Sequence, residues 1–406
     1  MNFDVDRARR RFPALAQGWV LMDNAGGAAV LDSVIERMGE YMRTSPVQLG
    51  ASYGPSRLAA SRVEQATAET ATLINATPGE IVFGQSSSAL LSRLSRAIAS
   101  QLVPGDEIIV SEADHESNIS PWVRLAERGV VIRTWPVDPG AGRLDMNALD
   151  GLLNDKTRLL CMGHTSNIFG AAEPVAEVAR RVHAAGARIV VDGVAWAPHR
   201  LTDVRALDVD FYVFSSYKVF GPHLGVLYGK AGELLELDNI NLAFLNKRAV
   251  PYKLQPGGFS YEAAYGFGAV PGYLLEQAPS GKGFQEKLAT AWTAMAEHES
   301  RLVATLLGYL LDRPGITIHG PRDAAPDSRL PIVSFSAADR DSADIVTAVD
   351  DANIGIRYGD FHARRLIERL GLADRNGVVR VSMAHYNTLE EVERLIAALD
   401  VILQSY

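Results

Sequence analysis

The stretch VDFYVFSSYKVFGPHLGVLYG, residues 209–229, decides how the rest of the chain is read. It opens on an apolar run rich in β-branched and aromatic residues, which reads as a strand. The run ends on Ser215, Ser216, Tyr217 and Lys218, and a glycine-containing turn follows. A buried, unpaired ammonium is costly. Lys218 therefore either reaches solvent at a strand end or its amine has a chemical task.

Upstream, the same pattern repeats. The apolar runs EIVFG, DEIIVSE, VVIRTWPV, TRLLCMGHT and ARIVVDG alternate with helical periods such as SSALLSRLSRAIASQL and PVAEVARRVHAAG. Strands alternating with helices from about residue 79 to 230 predict βαβ units and a mostly parallel sheet with helices on both faces. Residues 32–44 and 56–75 read as amphipathic helices, 231–285 as irregular, and 286–312 as one long helix. The strands and helices after it predict a smaller α+β domain. The expected division is an N-terminal segment (1–20) packing with the small domain, a large domain (21–270) and a C-terminal domain (271–406).

The bulk properties narrow the function. The formal charge of −8 and the lack of any basic run argue against nucleic acid or an anionic membrane as the partner. A single cysteine, Cys161, permits no intrachain disulfide, and the N-terminus carries no long apolar core, so a cytoplasmic protein is expected.

Parallel sheets bind ligands beyond the carboxyl ends of their strands. Five strand ends here carry polar groups: Ser86–Ser88, His115 to Asn118, His164 to Asn167, Asp192, and Ser215 to Lys218. Two readings of Asp192 and Lys218 stand side by side. They form a structural ion pair, or Lys218 bonds an aldehyde cofactor as a Schiff base while Asp192 faces a protonated pyridine nitrogen, as pyridoxal phosphate requires. Ser87 and Ser88 either cap a helix or, with its free N–H groups, hold a phosphate. Ser215 and Tyr217 are candidates to complete that phosphate site.

Six segments, in order, resemble those of the class V aminotransferase superfamily of fold type I, and within it the cysteine desulfurase-like group. They are LMDNAGGAAV (21–30), DHESNISPW (114–122), GHTSNIFG (163–170), VDGVAWAPH (191–199), the lysine segment quoted above and VVRVSMAHYNT (378–388). The resemblance implies a pyridoxal 5'-phosphate enzyme acting on a small amino acid. Lys218 would carry the cofactor as an aldimine and move protons at the substrate α-carbon. Asp192 would bind the pyridine nitrogen, with Val194 against the ring. Ser87, Ser88, Ser215 and Tyr217 would hold the phosphate. Asn167 would sit near the substrate carboxylate or the phenolic oxygen, Arg380 would bind the α-carboxylate, and Arg357 would be a second active-site arginine. Gly257 and Gly258 match a loop that reaches the neighbouring subunit's phosphate, which implies a homodimer with shared active sites.

Three departures qualify the resemblance. Where desulfurases carry a nucleophilic loop cysteine, five residues after the arginine matched by Arg357, this chain has His362, and Cys161 reads as a buried strand residue. The residue aligned with the ring-stacking histidine is Glu116, with His115 one position earlier, so both are candidates for the ring. Ala195 replaces a glutamine that contacts the phenolic oxygen. The pattern is similar to that of ergothioneine-pathway-type carbon–sulfur lyases. The leading expectation is β-elimination from a cysteine derivative, with Lys218 and His362 catalytic. An aminotransferase or α-carbon epimerase is the alternative, and a non-catalytic scaffold retaining the fold is the third. Arg57 and Lys253 are candidates to favour an acidic side chain, or plain surface charges.

Overall fold

Each apolar run of the first half becomes a strand of one seven-stranded sheet. The computed structural model describes residues 3–404, so the ends of the expected first and last segments, Met1, Asn2, Ser405 and Tyr406, fall outside it. The strands are β1 (Ile81–Gly84), β2 (Glu107–Ser111), β3 (Val131–Trp135), β4 (Thr157–Gly163), β5 (Arg188–Asp192), β6 (Phe211–Ser215) and β7 (Gly225–Gly229). Their order is β1-β7-β6-β5-β4-β2-β3. Neighbours are parallel except at β7, which runs against both β1 and β6.

The sheet is covered on both sides, and this explains the unbroken apolar runs. In β5, Val190 packs into one core cluster while Ile189 and Val191 pack into the other. Successive strand side chains point to opposite faces, so a strand buried twice must be apolar throughout. The helices of this part include α1 (Asp32–Thr44), α2 (Gly54–Leu73), α3 (Ser87–Ile98) and α4 (Val175–Ala184).

A 28-residue helix, α5 (Phe284–Leu311), leads out of the large domain. Its first half buries Leu288, Trp292 and Met295 in the large core; its second half buries Leu302, Leu306 and Leu310 in the small one. The small domain then adds β8 (Ile316–His319), β9 (Ile332–Ala337), α6 (Ser342–Asp350), β10 (Arg357–Gly359), β11 (Val378–Ser382) and α7 (Leu389–Gln404). Its antiparallel sheet runs β8-β9-β11-β10, with Arg357 directly across from Arg380. Near the N-terminus, Val20–Leu21 pairs with Ile354–Gly355, and Val20 and Met22 enter the small core. That crossing carries Asp23 to the junction of the two domains.

Residues 231–285 are less irregular than their composition predicts. They hold three short helices, Ala231–Glu236, Tyr261–Phe267 and Val270–Gln277. Each is too short and glycine- or proline-interrupted to show a helical period, so packing rather than propensity forms it. At Gly266 an added Cβ would lie 2.5 Å from Met38, so that helix seats against α1 only through a glycine. Among the described residues, no helix is long and apolar enough to cross a membrane.

Candidate active site

The carboxyl ends of β1, β2, β4, β5 and β6 open onto one cleft. β1 ends in a turn that starts α3, where the Ser86 side chain accepts from the Ala89 N–H at 3.1 Å. Ser86 thus takes the capping role, and Ser87 and Ser88, both lining the cleft, stand at the open N-terminus beyond it. A helix N-terminus presents free N–H groups and partial positive charge to an anion. Ser215 lies beneath, donating its hydroxyl to Ser87 Oγ at 2.8 Å. Tyr217 lines the cleft with its ring stacked on His223.

Asp192 and Lys218 both line the cleft, yet no carboxylate among the described residues forms an ion pair with Lys218. The structural ion-pair reading therefore has no contact to rest on. Burial, reinforced by the Arg380 charge and opposed by Asp192 and Asp23, lowers the Lys218 amine to about 8. Asp192 accepts from the Val194 N–H at 2.9 Å, and burial raises its carboxyl to about 6. In the cofactor-free protein, an amine-directed label should react at Lys218 with an inflection near pH 8. Peptide-resolved labelling checks this; an inflection near the ordinary lysine value of 10.5 would contradict it.

Above the cleft floor the structure separates two neighbouring residues. Residues 116–118 form a tight turn, not a strand. His115 lines the cleft, and its Nδ1 accepts from the Ser117 N–H at 3.0 Å, so Nε2 carries the hydrogen. Burial and the nearby Lys218 charge lower His115 to about 4, which keeps the ring neutral. Glu116, the other ring candidate, does not face the cleft. Its carboxylate is taken by Arg365 at 2.9 Å and by the Ser120 hydroxyl at 2.6 Å. The turn, with His115 capping it, sends consecutive side chains in these different directions.

Asn167 enters the cleft with its Oδ1 unpartnered, while its Nδ2 donates to the Phe361 carbonyl at 2.9 Å. Arg380 is buried behind it. One Nη donates to Asp23 at 2.9 Å, the other to the Asn167 carbonyl at 3.3 Å, and Nε has no partner. Arg357 is exposed and reaches the other Asp23 oxygen at 3.4 Å. His362 is exposed, its ring centre 5.1 Å from that of His115 at the cleft rim. Val194 and Ala195 line one wall.

The remaining sequence candidates lie elsewhere. Gly258 has φ +74° in a loop fastened to β1 through Gln255, whose Nε2 donates to the Phe83 carbonyl, and it does not line this protomer's cleft. Lys253 is fully buried and its ammonium holds the carbonyls of Leu235 and Leu237 at 3.0 and 2.7 Å. Arg57 bonds its own neighbour Ser52 on the surface. Lys253 is thus not available to recognise an acidic side chain. Cys161 is fully buried in β4, and burial pushes its thiol up.

These residues fit pyridoxal phosphate on structural grounds. A buried amine without an ion-pair partner and an unpartnered Asn167 Oδ1 line one cleft, Arg380 on the Asn167 carbonyl keeps an unpartnered Nε, and buried polar groups without partners call for a polar ligand. The aminotransferase class-V family model matches residues 20–395. The chain belongs to the class V aminotransferase family. It is therefore a pyridoxal phosphate-dependent enzyme of the aminotransferase and cysteine desulfurase kind. This class V enzyme is 39% identical to the aminotransferase-like protein FGM3 of Gibberella zeae, over 99% of both chains. It is 35% identical to the cysteine desulfurase-like protein ustD of Aspergillus flavus, over 98% of this chain and 91% of that one. It superposes on the cysteine desulfurase CsdA of Escherichia coli with a TM-score of 0.86 at 28% identity, covering 100% of this chain and 99% of the other.

Two carboxylates at or behind the cleft were not singled out by the sequence. Asp114 lines the cleft, accepts from the Gly163 N–H at 2.8 Å and from Asn118 at 2.7 Å, and is raised to about 7 by burial. It ties the β2 and β4 ends together. Its place shortly after the end of β2 was the available signal. Asp23, which bridges both arginines, gave no local signal: its partners are more than 330 residues away.

Proposed function

We propose that this enzyme is a carbon–sulfur lyase that eliminates a sulfur leaving group from the β-carbon of a cysteine derivative. The observation that carries the reading is the absence of an accessible thiol: the one cysteine of the chain is sealed inside β4. Without a thiolate at the cleft, sulfur has no protein group to be transferred to and must leave as a small molecule.

When bound, the cofactor draws electrons away from the substrate α-carbon and so acidifies its proton. Arg380 suits the α-carboxylate, because its guanidinium keeps an unpartnered Nε donor. Lys218, anchor of the cofactor, takes the α-proton, and its amine at about 8 is matched to neutral working pH. The β-carbon–sulfur bond then breaks with its electron pair going to sulfur. His362 at the rim supplies the proton to that sulfur. The three-carbon product hydrolyses to pyruvate and ammonia.

His362→Ala should lower turnover by about a hundredfold, the usual size of one proton-transfer group, with cofactor absorbance unchanged. Wild-type turnover in that variant would remove the assignment. The reading as a whole is tested by following products from L-cysteine and several S-substituted cysteines, sulfoxides included. Catalytic pyruvate supports it. Stoichiometric conversion of the cofactor to its amine form, without pyruvate, would identify transamination instead. Racemised substrate without either product would identify the epimerase alternative.

The same proposal includes a cytoplasmic homodimer. Gly258 lies outside its own cleft, Leu242, Phe244 and Tyr252 are exposed large apolar groups shortly before it in the chain, and exposed Met42 and Tyr53 line a surface groove with Tyr261. Light scattering should give twice 44.0 kDa; a monomer would remove the shared-site reading.

A further inference from the structure

The chain leaving β10 turns sharply at 359–363. Phe361 and His362 are consecutive non-glycine residues with φ +49° and +59°. Bulky residues keep that conformation only where their surroundings over-determine it. Besides a local cap, the His362 N–H donating to Asp360 Oδ1 at 2.9 Å, restraints come from the large domain. Asn167 donates to the Phe361 carbonyl at 2.9 Å, and the Glu116 backbone N–H donates to the His362 carbonyl at 2.7 Å. The Glu116 carboxylate divides its oxygens between Ser120 on its own segment and Arg365, just past the turn. On the inner side, the Phe361 ring lies 3.7 Å from the Arg380 guanidinium.

We propose that Glu116 is a positioning residue: it locks the 359–363 turn across the domain junction and fixes His362 beside His115. The inference deepens the lyase reading and rests on it only for the task of His362. An ion pair about a third exposed is weak by itself. Glu116 is effective because its backbone and its carboxylate grip the two sides of the same turn, His362 and Arg365. Loss of either side frees the strained backbone to relax outward.

The test is hydrogen–deuterium exchange on the cofactor-loaded enzyme, together with steady-state kinetics. Glu116→Ala and Arg365→Ala should each speed exchange across 359–367 by roughly fivefold, the size expected for one such pair. The two effects should not add when combined, as expected of one shared interaction. The charge swap of Glu116→Arg with Arg365→Glu should restore slow exchange. Unchanged exchange in both single variants overturns the lock, whatever happens to activity. Faster exchange with lowered kcat supports the lock and the role of His362 together. Faster exchange with undiminished kcat supports the lock and removes His362 from the chemistry. Arg365 is about a third exposed, so its variant remains informative if Glu116→Ala folds poorly.

Discussion

Lys218→Met will abolish turnover, by about ten-thousand-fold or more, while making the cofactor-free protein more stable at neutral pH. The first effect follows from losing both the cofactor's covalent anchor and the base at the α-carbon. The second follows from burial. The amine is lowered from 10.5 to about 8, so the folded state disfavours its charged form. Below pH 8 both folded and unfolded chains carry the proton, and the folded state bears the full penalty. Between pH 8 and 10.5 the unfolded chain binds more protons than the folded one, so native stability rises with pH and the penalty fades. The difference corresponds to roughly 3 kcal/mol at pH 7, an upper figure because a methionine also changes packing. Denaturant unfolding of wild type and variant at pH 7 and pH 10.5 checks the sign. A variant less stable than wild type at pH 7 would show that the amine is not a bare buried charge. Retained activity would remove Lys218 from the mechanism.

Asp192→Asn should lower turnover by about a thousandfold, comparable to removing one preorganised electrostatic group from an active site. The amide preserves the shape and can still accept from the Val194 N–H, but the negative charge is gone. Cofactor capture through Lys218 should persist, seen as retained visible absorbance. The variant also alters Lys218, because the Asp192 charge holds that amine up. Its labelling inflection should therefore fall below about 8. Turnover within tenfold of wild type would show that Asp192 does not govern the cofactor ring.

Much of the architecture was legible because burial leaves a mark on composition. Strands such as β5 and β6 read as apolar along their whole length, as twice-covered strands must. Their ends could be found because Asp192 and Lys218 interrupt that pattern at points where a charge is costly. The long helix α5 declared its period over 28 residues, while the short helices within 231–285 had too few turns to do so.

Direction and partnership were not legible. Glu116 and His115 are adjacent, and a turn in place of a strand sent one to Arg365 and the other into the cleft. Lys253 carries the same charge on paper as any surface lysine, yet it is buried on two carbonyls. Asp23 earns its place only because Val20–Leu21 pairs with a strand of the small domain and brings it between Arg357 and Arg380.

The sequence by itself determined the sheet, the cleft at its carboxyl edge and the chemical types available there, since periodicity and apolar burial act on neighbours along the chain. Tertiary structure alone decided which charges stay unpaired and which are neutralised. Lys218 is left without a carboxylate, and Arg380 is given Asp23 from 357 residues away, outcomes that no local pattern encodes.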